Sequence, residues 1–308
     1  MTVRIDVTNK NGSTFSDNKV LSFNLQKDAY TPYGLLHIKL TGSTKNYSNA
    51  AEIKFRLGGF TPHYGLIDSI TTEVSGNNKI VNIVSRSFTS LVCQNQIEPG
   101  TITNVSINDL MTNYYSFPHV TWERNSATSY IYVKPNSSMW EALVNLSYKI
   151  CGSYPFIRGQ NEIRMTPYPT PRTFSFTNAD LLSTGTRLIG RRLISHFHMS
   201  DINGDYGHFD LQDTDVTDMN IIRHNYFELD KRFLRSPQDA LVFRDKYASR
   251  AWKQVFCKHS GYRGEDLSDI VTFGSINAER ISCVNVSGSS SGVITEIGVY
   301  HDKFPHNS

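Results

Sequence analysis

The sequence predicts a mainly β protein with α+β elements, in which two β-rich regions flank a smaller α/β region. Three observations support this fold class. Apolar and polar residues alternate in short segments through residues 1–100, and again near the C-terminus, as they do in half-buried strands. Two helix-start patterns lie between these regions. A third such pattern opens the longest predicted helix, inside the second β-rich region.

The first β-rich region comprises residues 1–100. Strands are predicted where apolar residues alternate, in VRIDV (3–7), LLHIKL (35–40), AEIKFRL (51–57), GLIDSITTEV (65–74) and KIVNIVSRS (79–87). The segment GNN at 76–78 supplies a turn, so a hairpin is expected over 65–92. On its return strand Val81 and Ile83 share one face, and the strand then ends in a polar segment that begins at Arg86.

The α/β region comprises residues 101–168. Each of its two predicted helices opens with a capping box, formed by Ser106 with Asp109 and by Ser138 with Glu141. Gly152 stands where the second helix should end in a left-handed residue. VTWERN (120–125) and SYIYVKP (129–135) are predicted to be extended, and PFIRGQNEIRMTPY (155–168) to form a hairpin around its GQ dipeptide.

The second β-rich region comprises residues 169–308. RRLISHFHMS (191–200) is predicted to be a strand, and the acidic run over 201–218 a loop. Ser236, Pro237 and Asp239 suit the N-cap, N1 and N3 positions of a helix, and its apolar stripe continues for five turns to Val255. The loop and helix form an insertion over about 200–260, after which two strands around a Gly/Ser turn are expected over 281–303.

The composition narrows the possible functions. With 308 residues and 34.9 kDa, the chain is long enough for two or three subdomains. The formal charge of +3 is spread along the chain, so no nucleic-acid partner is expected. The N-terminus has no apolar signal-peptide segment and no stretch is long enough for a membrane span, so no membrane partner is expected. Four widely spaced cysteines predict buried thiols in a reducing cytosol rather than a disulfide scaffold or a zinc site.

No catalytic, cofactor-binding or metal-binding residue is predicted. His196 and His198 share a strand face near several aspartates and could hold a metal ion, but alternating polar residues on a strand are more often a solvated face. The segment DINGD at 201–205 begins like a calcium loop, yet Tyr206 and Gln212 occupy the positions that require glycine and glutamate. The sequence also has no P-loop or dinucleotide-binding motif.

The order of these features resembles that of the baseplate hub proteins of phage tails and related contractile injection particles, which include R-type bacteriocin, phage Mu-like and late control protein-like hubs. In the first hairpin, the residues similar to the family pattern are Gly65, Ile67, Asp68, Arg86, Ser87, Leu91 and Val92. Three later segments are also similar to the pattern: the short helix in INDLMTNYYS (107–116), the helix and hairpin over 137–168, and the arginine-containing segment DALVFRDKYASRAWKQVF (239–256). The resemblance covers residues 20–303, except that 200–235 and 258–280 match no pattern.

The resemblance implies two β-barrel-like subdomains, over 1–100 and 169–308, with the small α/β subdomain (101–168) between them and a long helix inserted in the second. Hubs of this family form a homotrimer, a ring of pseudo-sixfold symmetry that joins the sixfold tail tube to the threefold central spike. The implied partners are two further copies, a spike protein and a tail tube or tube-initiator protein, and baseplate wedge or sheath proteins could join them. The resemblance implies no cofactor, and its implied location is a virion or injection-particle baseplate assembled in the bacterial cytoplasm.

The two hairpins over 65–92 and 281–303 are expected to carry the contacts of this ring. The interface candidates are Ile67, Asp68, Ile83, Arg86, Val293 and Ile297. Two other functions remain open. A tail-associated peptidoglycan hydrolase would need a catalytic domain, for which hub-like elements leave no spare residues. A carbohydrate-binding β protein would use Trp122, Trp140 and the tyrosines as a platform, although Trp140 lies just inside a capped helix, which favours packing.

Overall fold

The computed structural model describes residues 2–76 and 78–304. The strands in these residues are β1 (Val3–Asn9), β2 (Thr14–Asp17), β3 (Val20–Asp28), β4 (Leu35–Thr41), β5 (Ala50–Leu57), β6 (Phe60–Ser75), β7 (Asn78–Ser87), β8 (Gly100–Val105), β9 (Thr121–Trp122), β10 (Ser129–Val133), β11 (Phe156–Arg158), β12 (Glu162–Arg164), β13 (Thr173–Ser175), β14 (Leu181–Leu188), β15 (His196–Met199), β16 (Phe209–Gln212), β17 (His224–Phe227), β18 (Lys253–Ser260), β19 (Ile270–Phe273), β20 (Ile276–Arg280), β21 (Cys283–Ser289) and β22 (Gly292–Tyr300). The helices are α1 (Ser90–Gln94), α2 (Ile107–Asn113), α3 (Met139–Cys151), α4 (Thr214–Asp218) and α5 (Pro237–Ala248), with short 3-10 turns at Gly190–Arg192 and Lys231–Phe233.

Eleven of the strands form one curled antiparallel sheet, in the order β14-β18-β22-β21-β3-β4-β7-β6-β5-β1-β2. The chain is therefore mainly β, as predicted. Strands from both β-rich regions join in this sheet, because β3 pairs with β21 from Phe23–Gly288 to Asp28–Cys283. Nothing in the local alternation of apolar residues indicates that long-range pairing. The remaining strands form small sheets, β10-β8, β11-β12-β9, β13-β19-β20 and β16-β15-β17.

The protein has two hydrophobic cores, one on each side of the polar segment that begins at Arg86. The barrel core, against the large sheet, contains Phe55, Ile83 and Ile297. The helical core, among the helices and small sheets, contains Phe88 and Leu143. The chain thus crosses from one core to the other within five residues. The crossing is held by buried polar groups, since the Ser87 hydroxyl accepts a hydrogen bond from the Gly34 amide at 3.0 Å and lies 2.9 Å from that of Thr89.

The helices of the α/β region begin and end as predicted. The Ser106 hydroxyl accepts from the Asp109 amide at 3.1 Å, and the Asp109 carboxylate accepts from the Ser106 amide at 2.9 Å. Ser138 and Glu141 form the same box at the start of α3. Each such cap contributes about 1 kcal/mol to helix stability. Gly152 follows α3 in the left-handed conformation with φ of 67°, and β11 and β12 form the predicted hairpin.

The helix α5 is shorter than predicted. Its apolar stripe suggested five turns to Val255, but α5 ends at Ala248 and Val255 lies in β18. The left-handed φ of 53° at Ala251 turns the chain out of the helix, and β18 then pairs with β14 on one side and β22 on the other. Pairing on both sides outweighs a helical pattern, which is a weak determinant alone. The prediction that this helix is the longest was wrong, because α3 has 13 residues and α5 has 12.

Two details of the second β-rich region also differ from expectation. The strand predicted over 191–200 begins only at β15, and the acidic run predicted as a loop contains β16 and α4. Asp213, in that run, caps α4 by accepting from the Val216 amide at 3.3 Å. The hairpin turn predicted at 76–78 includes Asn77, which lies outside the described residues.

A buried group of ion pairs joins all three predicted regions, and we call it the junction: Lys27, Arg158, Asp266 and Asp269. Lys27 Nζ lies 2.9 Å from Asp266 Oδ1, and an Arg158 nitrogen lies 2.6 Å from Asp269 Oδ1. Arg158 also donates to the Leu267 carbonyl. These contacts fix the β11–β12 hairpin between β3 and the segment before β19.

Candidate assembly surfaces

The large sheet has an edge strand at each end, and the two edge strands differ in length. Among the described residues, β2 pairs only with β1, and β14 pairs only with β18. The strand β2 has four residues, whereas β14 has eight. Leu182 and Leu188 on β14 are 59% and 65% exposed. A long edge with apolar side chains offers unpaired backbone groups to a further strand, so β14 is a candidate surface for pairing with another chain.

A third free edge belongs to the first hairpin. The strand β6 extends well beyond its partner β5, because the β5–β6 ladder covers only Phe60–Leu66 of its sixteen residues. The rest of β6 pairs with β7 alone within the described part of the chain. We call residues 67–75 the arm edge. Its exposed residues include Glu73 and Val74, so a polar, projecting strand edge stands at the position where contacts of the ring were predicted.

The arm edge starts at a β-bulge. The register places Ile67 opposite Ser85 and Ser69 opposite Val84, so Asp68 is the extra residue of β6. Its carboxylate accepts two hydrogen bonds from Arg86 on β7, at 2.7 and 2.8 Å. The hydrogen bonds to Asp68 raise the pKa of Arg86, and the guanidinium lies 5.2 Å from the centre of the Tyr33 ring. A bulge increases the local twist of a strand, and this one lies where the arm edge begins.

The structure separates the six interface candidates into three groups. Ile83 and Ile297 are 1% and 0% exposed in the barrel core, so replacing either tests folding before it tests assembly. Ile67 and Val293 are half-buried against the same core. Asp68 and Arg86 are brought together at the bulge, where both reach solvent. Whether any of them contacts a partner stays a prediction.

The strand β15 carries both histidines that the sequence analysis considered as metal ligands. His196 and His198 lie on its solvent side, and His224 of the parallel strand β17 lies directly opposite His196. The third histidine was missed because no local pattern places β17 beside β15. Burial and the neighbouring imidazoles lower the pKa of His196. Within the described residues, no three His, Cys, Asp or Glu side chains already surround one point.

The two tryptophans proposed as a sugar platform are not equivalent. Trp140 is 5% exposed in the helical core, so it cannot stack on a carbohydrate. Trp122 is half-buried, and its indole nitrogen lies 3.4 Å from the Asn108 side-chain oxygen. No helix in the described part of the chain is long and apolar enough to cross a membrane.

The fold is similar to that of phage tail proteins. No family model matches the chain, and no curated protein matches its sequence. The 43 kDa tail protein of prophage MuSo2 from Shewanella oneidensis is similar with a TM-score of 0.72 and 12% identity, over 98% of both chains. A tail protein from Neisseria meningitidis MC58 gives a TM-score of 0.70 and 12% identity, over 98% of this chain and 97% of that one.

A third similar structure comes from a secretion system. The E. coli c3393 protein, a component of the type VI secretion system with structural similarity to T4 bacteriophage tail proteins gp27 and gp5, gives a TM-score of 0.57 at 9% identity. The alignment covers 93% of this chain and 76% of that one. The resemblance to tail and baseplate proteins is therefore confirmed at the level of the fold, across nearly the whole chain.

Proposed function

We propose that this protein is a structural hub of a phage-tail baseplate or of a related contractile injection particle. In this role three copies form a ring of pseudo-sixfold symmetry that joins a sixfold tail tube to a threefold central spike. The observation that carries the proposal is the similarity in fold to two tail proteins over 98% of this chain. Because fold alone does not fix function, the proposal also rests on the strand edges.

The free edges support assembly with further copies. A sheet that ends in the long, apolar edge of β14 and carries the arm edge on β6 is at risk of uncontrolled pairing as a monomer. A closed ring of copies covers such edges, and cyclic symmetry limits the number of subunits that can add. Each chain contributes strands from both β-rich regions to its sheet, so three chains would present six β units around the ring axis.

The proposed partners follow from the same arrangement. The tail tube or its initiator protein would bind one end of the ring and the spike protein the other, with the two hairpin ends, near 76 and 290, as contact segments. Wedge or sheath proteins would bind outside the ring. The proposed role is non-enzymatic, in line with the tail proteins that share the fold. The particle would assemble in the bacterial cytoplasm.

The mass in solution tests the ring. Purified protein should scatter light as a species of three times the chain mass of 34.9 kDa, alone or when the spike and tube proteins are co-expressed. The variant Leu182→Lys/Leu188→Lys places two charges along the β14 edge, where pairing would have to desolvate them. We expect this variant to lose the trimer while its far-ultraviolet circular dichroism is unchanged.

Ile202→Lys is the control, because Ile202 is also apolar and exposed but lies in a loop rather than on a strand edge. It should assemble like the unmodified protein. If the unmodified protein stays monomeric with both partners present, the hub function is wrong. If instead both variants remain trimeric, the function stands and the β14 edge is not its interface.

A further inference from the structure

The most concentrated group of unexplained polar side chains lies on the small sheet β16-β15-β17. On its solvent face, His196 and His198 of β15 stand beside His224 of β17 and Asp210 of β16. The register pairs His196 with His224, and His198 with Asp210. The opposite face of β15 carries the fully buried Phe197 and Met199, so the strand is held firmly and its histidines are presented outward.

The hydrogen bonds link these rings to one another and to Asp210. The Asp210 carboxylate can only accept, so the His198 Nδ1–H donates to it, at 2.6 Å. In a neutral His198 ring Nε2 then carries the lone pair, and it lies 3.0 Å from His224 Nδ1, which can donate to it. His196 Nδ1 lies 2.9 Å from the Ser195 hydroxyl, which leaves its Nε2 as the available ligand atom. The His196 and His224 rings are stacked, with centres 4.1 Å apart.

We propose that His196, His198 and His224 bind a divalent transition-metal ion such as zinc, and that Asp210 orients His198 as a ligand. Two histidines at alternate positions of one strand and a third on the neighbouring strand supply three imidazoles on one sheet face. Imidazole is the ligand that zinc, copper and nickel accept most readily from such a surface. A carboxylate on the far nitrogen of a ligating histidine is the common outer-shell arrangement at zinc sites.

The distances are close to those that a metal ion needs. Two nitrogen ligands of a tetrahedral zinc ion lie about 3.3 Å apart, since each Zn–N bond is about 2.0 Å. His198 Nε2 and His224 Nδ1 are already 3.0 Å apart and share one proton. On binding, the proton on His224 Nδ1 moves through solvent to His224 Nε2, so both lone pairs can turn to the metal and no proton is released to solution. No three such side chains of the described residues are placed to hold a metal ion beforehand, so His196 has to rotate about its side-chain torsions to contribute Nε2, and water completes the coordination.

Titration with the metal alone tests the site. The full-length protein, freed of any affinity tag and treated with a chelator, is titrated with Zn²⁺ by calorimetry and with Co²⁺ by visible absorption. We expect one ion per chain, a Co²⁺ spectrum typical of nitrogen and oxygen ligands, and a higher melting temperature with Zn²⁺. His198→Asn and His224→Asn should weaken binding by at least tenfold, and Asp210→Asn by about tenfold, in the range found for outer-shell carboxylates.

His37→Asn is the matched control, since His37 is an exposed strand histidine on β4, far from this sheet in the chain order. It should bind zinc like the unmodified protein. Equal affinity in His37→Asn and His224→Asn would overturn the proposal, as would a thiolate absorption band from Co²⁺. Histidines that titrate with pH but bind no zinc would also overturn it, because the face would then bind only protons. None of these outcomes depends on whether the protein forms a trimer.

Discussion

Two arginine–aspartate pairs use the same chemistry in opposite surroundings. In the junction, Arg158 and Asp269 lie 2.6 Å apart with side chains 8% and 0% exposed. At the bulge, Arg86 and Asp68 lie 2.7 Å apart with side chains 24% and 28% exposed. The junction pair joins segments 111 residues apart in sequence, whereas the bulge pair joins two strands of one hairpin. Burial, rather than distance between the charges, separates the two.

The difference indicates what each pair does. A buried ion pair is costly to break, because the remaining charge is left without water or a partner. A solvent-exposed pair contributes little to stability, since water and salt screen both charges. We therefore expect the junction to maintain the fold of the subunit, and the bulge pair to shape the surface that it presents. The predictions below test that division.

The largest effect is expected from Arg158→Met. Methionine keeps the apolar stem of the side chain but leaves the Asp269 carboxylate with only Arg172 and backbone amides. Because Arg172 still pairs with Asp269, we expect a loss at the low end of the cost of breaking a buried pair, about 3 kcal/mol in the free energy of unfolding. Urea denaturation measures it, with Arg86→Met as the matched substitution at the bulge. Equal losses in the two variants would show that burial does not distinguish the pairs.

A smaller effect is expected from acid, through a histidine beside the junction. His63 is buried, with Nε2 2.8 Å from the Ser85 hydroxyl. Burial, with a further contribution from the charge of Lys27, lowers the pKa of His63 to about 3. The unfolded chain, with an ordinary pKa near 6.5, binds more protons between these values, so stability falls as pH drops below about 6.5.

By pH 4.5 the loss from His63 should reach about 2–3 kcal/mol. Denaturation at pH 7.5 and 4.5 measures it. His63→Gln keeps a hydrogen-bonding side chain and cannot gain the proton, so its stability should fall less between the two pH values. His37→Gln, at an exposed position, should retain the full loss. An unchanged acid loss in His63→Gln would remove His63 as the cause.

Local sequence signals predicted individual strands and helices, but not the contacts between elements that are distant in the sequence. Alternation in KIVNIVSRS placed Ile83 inward, and the capping boxes at Ser106 and Ser138 fixed where helices begin. Such features depend on residues within a few positions of one another. The junction depends instead on Lys27 and Asp266 meeting across 239 residues, and neither residue lies in a pattern that indicates a partner.

For the candidate surfaces, too, the sequence predicted only what depends on residues close together in the chain. Asp68 and Arg86 could be selected from the sequence because they belong to one hairpin, where a short turn sets the register. The free edge of β14 could not, because an edge is defined by which strand fails to pair, and that depends on the whole sheet order. His224 was missed for a related reason: the parallel pairing of β15 with β17 spans more than twenty residues, which include β16 and α4.

The smallest effect on stability is expected at the bulge itself. Asp68→Asn keeps the shape of the side chain and removes its charge, so the Arg86 guanidinium is freed from its two-point contact. We expect a loss of at most about 1 kcal/mol in urea denaturation, as for exposed pairs in general. If the bulge pair shapes the arm edge for assembly, sedimentation should show a much larger shift of the trimer towards monomer.

Asp269→Asn should show the reverse, with low stability in whatever oligomer remains. A stable, fully trimeric Asp68→Asn protein would mean that the bulge pair has neither role, and the ring contacts would then have to lie elsewhere, with the β14 edge as the first place to test.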